Sequence, residues 1–146
     1  MYLIRVSSSK NYGKGHINRC LFLRKSFNDK TIWIVDNGTK NLVSSYINKD
    51  EIIEENYFNS LVLTEKIIKS KGIVAIIIDT PLLDKIKIKN IAKLIPTIII
   101  VDKVIKIQNT LSICPHPIKY NAVNFISGLH YYPFKKKKGI KITLIF

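Results

Sequence analysis

Acidic side chains, cysteines and long apolar runs are all scarce in this 146-residue chain. No hydrophobic stretch approaches the roughly 18–20 residues needed to span a bilayer; the longest, Ile73–Ile78 and Thr97–Val101, are strand-sized. The start, Met1-Tyr2-Leu3-Ile4-Arg5-Val6, lacks the basic segment and long apolar core of a secretory signal. These two absences predict a cytoplasmic protein without stable membrane insertion. The two cysteines, Cys20 and Cys114, stand far apart with no CxxC or Cys/His spacing. That excludes a disulfide framework and gives no structural zinc pattern.

Only ten Asp and Glu face 24 Lys and Arg, a formal net charge of +14. The excess is unevenly placed. Residues 1–28 and 103–146 contain basic but no acidic side chains, whereas 29–102 is balanced. Such an excess invites a nucleic-acid reading. The motifs argue against it, because no helix-turn-helix, zinc finger or RNP-like aromatic sheet is legible. The run Lys135–Lys138 reads as a solvated face, and the abundance of Ile, Lys and Asn also fits an AT-rich coding background. We therefore expect no nucleic-acid partner.

What is present is ample apolar material: hydrophobic residues make up 47% and charged ones 23%, enough for one cored domain. Tyr2–Val6, Thr31–Val35, Gly72–Ile78 and Thr97–Val101 read as buried strands, with Ser112–Cys114 and Ala122–Ile126 as short extended pieces. Helices are expected over 16–27, Asn41–Ile47, Phe58–Ser70 and Lys85–Leu94. The last alternates Lys with Ile, a period that also allows a strand; its place between two buried strands and before Pro96 favours a helix. The acidic cluster Asp50, Glu51, Glu54 and Glu55 reads as a solvated loop or helix start. Apolar strands alternating with helices predict an α/β fold, a Rossmann-like parallel sheet covered on both faces.

Ligands in such folds bind outside the carboxyl ends of the strands. Ser7–Ser9, Asp36, Asp79 and Asp102 occupy those positions here. Ordinary turn chemistry explains any one of them; their convergence on one rim is more informative. The strongest local signal is Gly13-Lys14-Gly15-His16-Ile17-Asn18-Arg19. Glycines ahead of a helix allow close backbone approach, and a helix N-terminus offers free N–H groups to an anion. Lys14 and Arg19 add positive charge. The pattern is neither GxGxxG nor GxxxxGK[ST]. In the first helical turn, His16 would be held neutral by the dipole and could act as a general base; from spacing alone, a capping or core histidine is equally open.

The stretch Ile4–Leu23, IRVSSSKNYGKGHINRCLFL, resembles the start of the UDP-2,4-diacetamido-2,4,6-trideoxy-altropyranose hydrolases of pseudaminic-acid biosynthesis. It is equally similar to the related spore-coat-polysaccharide-type predicted glycosyltransferases. The shared GxGHxxRCLxLA pattern is matched by Gly13, Gly15, His16, Arg19, Cys20, Leu21 and Leu23. IIIDT (Ile76–Thr80), IIIVD (Ile98–Asp102) and Gly128-Leu129-His130-Tyr131 fall in the family's order. Two departures stand out: Asp79 is followed by Thr80-Pro81-Leu82 rather than by an aromatic residue, and Lys103 takes the place of a second aspartate.

The resemblance implies the N-terminal half of a two-domain GT-B-like architecture. Residues 1–134 would form the Rossmann-like domain, and 135–146 the linker and first strand of a second domain, with Ile140–Phe146 as that strand. It implies His16 as the catalytic residue, activating water at the anomeric carbon of a UDP-linked sugar. Gly13, Lys14, Gly15, Arg19, Ser8, Asp79 and Asp102 would contact substrate. No cofactor and no metal are implied. Expected partners are the UDP-sugar and a separate polypeptide carrying the second domain. The rival expectation is a truncated or split, non-catalytic half of a glycosyltransferase-like protein.

Overall fold

A computed structural model of the chain describes residues 1–8, 14–101, 105–114 and 124–127. In chain order the elements are β1 (Tyr2–Val6), α1 (Gly15–Arg24), β2 (Thr31–Asp36), α2 (Lys40–Ser44), β3 (Glu51–Glu55), α3 (Val62–Ser70), β4 (Ala75–Asp79), α4 (Lys85–Leu94), β5 (Thr97–Ile100), β6 (Thr110–Cys114) and β7 (Phe125–Ser127). The seven strands form one sheet in the order β3-β2-β1-β4-β5-β6-β7, and every neighbouring pair is parallel. This is the Rossmann-like α/β fold expected.

The Ile- and Val-rich strands are continuous apolar runs because both of their faces are covered. Successive side chains alternate between the two faces. Leu3, Ile32, Ile34, Ile76, Ile78 and Ile99 join one core with Ile67 of α3 and Ile88, Ile91 and Ala92 of α4. Ile4, Val6, Trp33, Val35, Ile77 and Ile98 join the other with Ile17, Cys20 and Leu21 of α1 and Val43 of α2. The helix over 85–94 is confirmed with the bounds read from sequence. Asp84 caps it, its carboxylate accepting from the Lys87 N–H at 2.9 Å.

Other expectations require correction. Of the acidic cluster only Asp50 lies in a loop; Glu51–Glu55 is the edge strand β3, in register with β2 from Ile32↔Glu51 to Asp36↔Glu55. An edge strand tolerates charge, and two of these acids pair with arginines, one buried and one half-buried. Asp50 has a side chain only 1% exposed and accepts from Arg24 Nε at 2.5 Å, Arg24 Nη2 at 2.7 Å and Trp33 Nε1 at 3.0 Å. Glu55 lies 2.8 Å from Nη1 of Arg5, which is completely buried in β1. Arg5 also donates to Thr64 Oγ1 at 2.7 Å, to the Ser60 carbonyl at 2.9 Å and to the Phe58 carbonyl, with the Phe58 ring over its guanidinium. Phe58 is thereby held in the connection, and α3 starts only at Val62 rather than at Phe58. Strand β4 starts at Ala75 and runs through Asp79, placing that aspartate inside the sheet instead of beyond it. The expected second-domain strand Ile140–Phe146 and the linker before it lie outside the described residues.

Candidate functional site

The chain builds outward from β1 through β2 to β3 and then returns to β4 on β1's other side. The switch point of a doubly wound sheet therefore lies between the carboxyl ends of β1 and β4, where such folds bind ligands. The register pairs Val6 with Asp79 at that point. Helix α1 begins above it, with Lys14 as its N-cap and no side chain capping its first turn. That first turn, whose amides have no intrahelical partner, thus lies at the crevice end of the sheet.

Helix α1 buries Ile17, Cys20 and Leu21 against the sheet. That anchoring turns His16, Arg19 and Cys20, three and four residues apart on one helical face, towards Asp79. Asp79 has a side chain with 0% exposure, so its charge needs internal partners. Arg19 supplies a two-pronged contact, donating from Nε to Oδ2 at 2.8 Å and from Nη2 to Oδ1 at 2.7 Å. His16 Nδ1 lies 2.6 Å from the same Oδ1 and 2.7 Å from Arg19 Nη2. A guanidinium nitrogen has only hydrogens to give, so Nδ1 would be the acceptor in the Arg19 contact and the donor in the Asp79 contact, and each belongs to a different tautomer. With the Nδ1 proton given to Asp79, the Nε2 lone pair is left available. The His16 side chain keeps 20% exposure, which gives Nε2 a route to a ligand. Cys20 Sγ sits 4.0 Å from Asp79 Oδ2, and burial, reinforced by Asp79, pushes its thiol well above the ordinary range.

Around this core, the Ser8 backbone N–H donates to Asp36 Oδ1 at 3.0 Å, and Thr39 Oγ1 donates to the same oxygen. This links the loops after β1 and β2. The hydroxyls of Ser7 and Thr80 are 2.7 Å apart and link those after β1 and β4. The Ser8 hydroxyl is buried without a hydrogen-bond partner among the described residues. At Gly15 a Cβ would meet nothing within 4 Å, so the backbone there is open to close approach.

Of the residues expected in the site, His16, Arg19 and Asp79 come together directly, with Lys14, Gly15 and Ser8 at the surrounding loop and helix start. Arg19 spends its guanidinium on Asp79, and Lys14 is exposed. Gly13 and Asp102 lie outside the described residues. Sequence reasoning placed Ser7 on the rim but missed Thr39 and Thr80, hydroxyl residues within three positions of a strand end; that placement is the only signal they carry. Among the described residues no group of three or more His, Cys, Asp or Glu could hold a metal ion, and no helix is long and apolar enough to cross a membrane. No family model, curated protein or solved structure matches the chain.

Proposed function

We propose that the chain is the N-terminal, GT-B-like half of a cytoplasmic nucleotide-sugar hydrolase that cleaves a UDP-linked diacetamido trideoxy sugar. The observation that carries this reading is the His16–Asp79–Arg19 constellation at the switch point, together with the resemblance around Gly13–Leu23. Asp79 keeps the Nδ1 proton in place, and His16 Nε2 accepts a proton from water as the water oxygen bonds to the anomeric carbon. The bond from that carbon to the diphosphate oxygen breaks, and UDP leaves with the electron pair. Asp79 and Arg19 are positioning residues: buried and bonded to each other, they fix the tautomer and ring orientation. The first-turn amides of α1, the open backbone at Gly15 and the Lys14 ammonium suit the diphosphate. The unpartnered Ser8 hydroxyl suits a polar group of the sugar.

The test is UDP release from the UDP-linked diacetamido trideoxy sugar. The purified chain is assayed alone and with a polypeptide supplying the second domain. His16→Ala is expected to lower turnover by at least about 10²-fold while the unfolding transition stays cooperative. Undiminished turnover in that variant refutes the role of His16. Absence of UDP release by folded protein in both arrangements favours the non-catalytic, glycosyltransferase-like half.

A further inference from the structure

The sheet face opposite α1 carries a second feature, unconnected with His16. Between β5 and β6 there is no helix over 105–109; that segment lies beside α4 and sends Ile105 and Ile107 into the same core as Ile88 and Ile91. A groove of about 860 Å³ opens between the two, bordered by Lys85, Lys89 and Lys93 on α4 and by Lys106, Gln108 and Asn109 on the opposite wall. The groove is rigidly built. Asn109, at φ 59°, donates from Nδ2 to the Ala92 carbonyl at 2.7 Å, tying the wall to the helix. Thr110 Oγ1 donates to the Ile107 carbonyl at 2.6 Å and Ser112 Oγ to the Ile105 carbonyl at 3.2 Å.

Among the described residues its charge has one sign. No Asp or Glu is among the residues bordering it, and Lys85, Lys89 and Lys93 have no ion-pair partner among the described residues; Lys87, off the groove, pairs with Asp84. Four residues of helix advance about 6 Å, so the three lysines form a row spanning about 12 Å. Ammonium groups along one concavity add their fields, and the low-dielectric wall strengthens the field that an anion meets there. The volume is that of a small-molecule site. A concave groove does not fit a flat bilayer. Among the described residues its walls carry no aromatic side chain, the stacking platform that a single-stranded nucleic acid uses.

We infer that this groove binds a small ligand carrying two or more linked phosphates. The ligand's oxygens would take hydrogen bonds from the lysine row, with the Gln108 amide at the rim.

The proposal is tested by calorimetric titration of the full chain with inorganic tripolyphosphate, ATP and a single-stranded oligonucleotide at physiological ionic strength. Wild type is compared with two double variants that change net charge equally. One is Lys89→Ala with Lys93→Ala in the groove; the other is Lys66→Ala with Lys69→Ala on the exposed side of α3. All four lysines are exposed, so both variants keep the fold. The expected result is saturable one-to-one binding of tripolyphosphate or ATP that weakens at least about tenfold in the groove variant and less than about twofold in the other. A preference between these two probes distinguishes an inorganic from a nucleotide source. Equal loss in both variants, no saturable binding, or tighter binding of the oligonucleotide than of either phosphate overturns the proposal.

Discussion

Replacing Asp79 by Asn removes one negative charge without changing side-chain size, from a position with 0% exposure. Arg19, whose side chain is 11% exposed, then loses the carboxylate that takes two of its N–H groups. Breaking a buried ion pair by deleting one partner costs roughly 3–5 kcal/mol, because the other charge stays desolvated. A domain of this size has about 5–15 kcal/mol in total, so Asp79→Asn should remain folded at low temperature with a strongly lowered urea midpoint. Arg19→Met should cost less, since its removal leaves Asp79 with the His16 bond. In the double variant the two losses should fall short of their sum by roughly 1.5–3 kcal/mol, the range for a charge-assisted hydrogen-bonded contact. Urea unfolding followed by the emission of Trp33, the single tryptophan and completely buried, reads all four species. The asparagine amide can also donate towards Nδ1, which favours the tautomer with its proton on Nε2 and withdraws the base. At matched folded fraction, UDP release should fall by roughly 10²–10⁴-fold. A loss below about 1 kcal/mol, or strictly additive losses, would refute the buried pair itself, whatever the activity shows.

Three further outcomes are expected elsewhere. Burial of Asp50 pushes its carboxyl up, but its bonds to Arg24, Trp33 and Thr31 together outweigh that and hold it below the ordinary carboxylate value. Its stabilisation is therefore complete above the ordinary value and is lost as pH falls through that value towards the lowered one; Asp50→Asn should flatten this acid limb of the stability profile. Cys20 should resist thiol reagents in the native state, because it is fully buried with its thiol pushed up, and react only on unfolding. Fast labelling in native buffer would contradict its placement. Gly15→Ala should leave stability unchanged or slightly raised, since a Cβ there meets nothing. If a diphosphate rests against that backbone, the variant raises KM for the UDP-sugar while circular dichroism is unchanged.

Periodicity and turn chemistry alone determined much of this protein. Unbroken Ile and Val runs separated by helical segments can be buried only in a parallel sheet covered on both sides, and the breaks at Ser7, Asp36 and Asp79 mark the strand ends. The glycine–histidine segment was legible as the start of a helix facing the crevice, because helix starts and strand ends carry local signals. Tertiary structure alone decided what the charges do. Nothing local distinguishes Asp79 at a rim from Asp79 within the last position of a strand. That single-residue difference turns its carboxylate onto the face where α1 presents His16 and Arg19. Likewise, Asp50 and Glu55 read as solvated acids because their partners, Arg24 and Arg5, lie 26 and 50 positions earlier in the chain. An edge strand and a buried ion pair are both settled by residues distant in sequence, so no window of neighbouring residues contains them. Even the scarcity of acid takes on another meaning in three dimensions. Asp79, Asp50 and Glu55 are bound to buried or half-buried arginines, and among the described residues the lysine row along α4 is left to face its groove without a carboxylate.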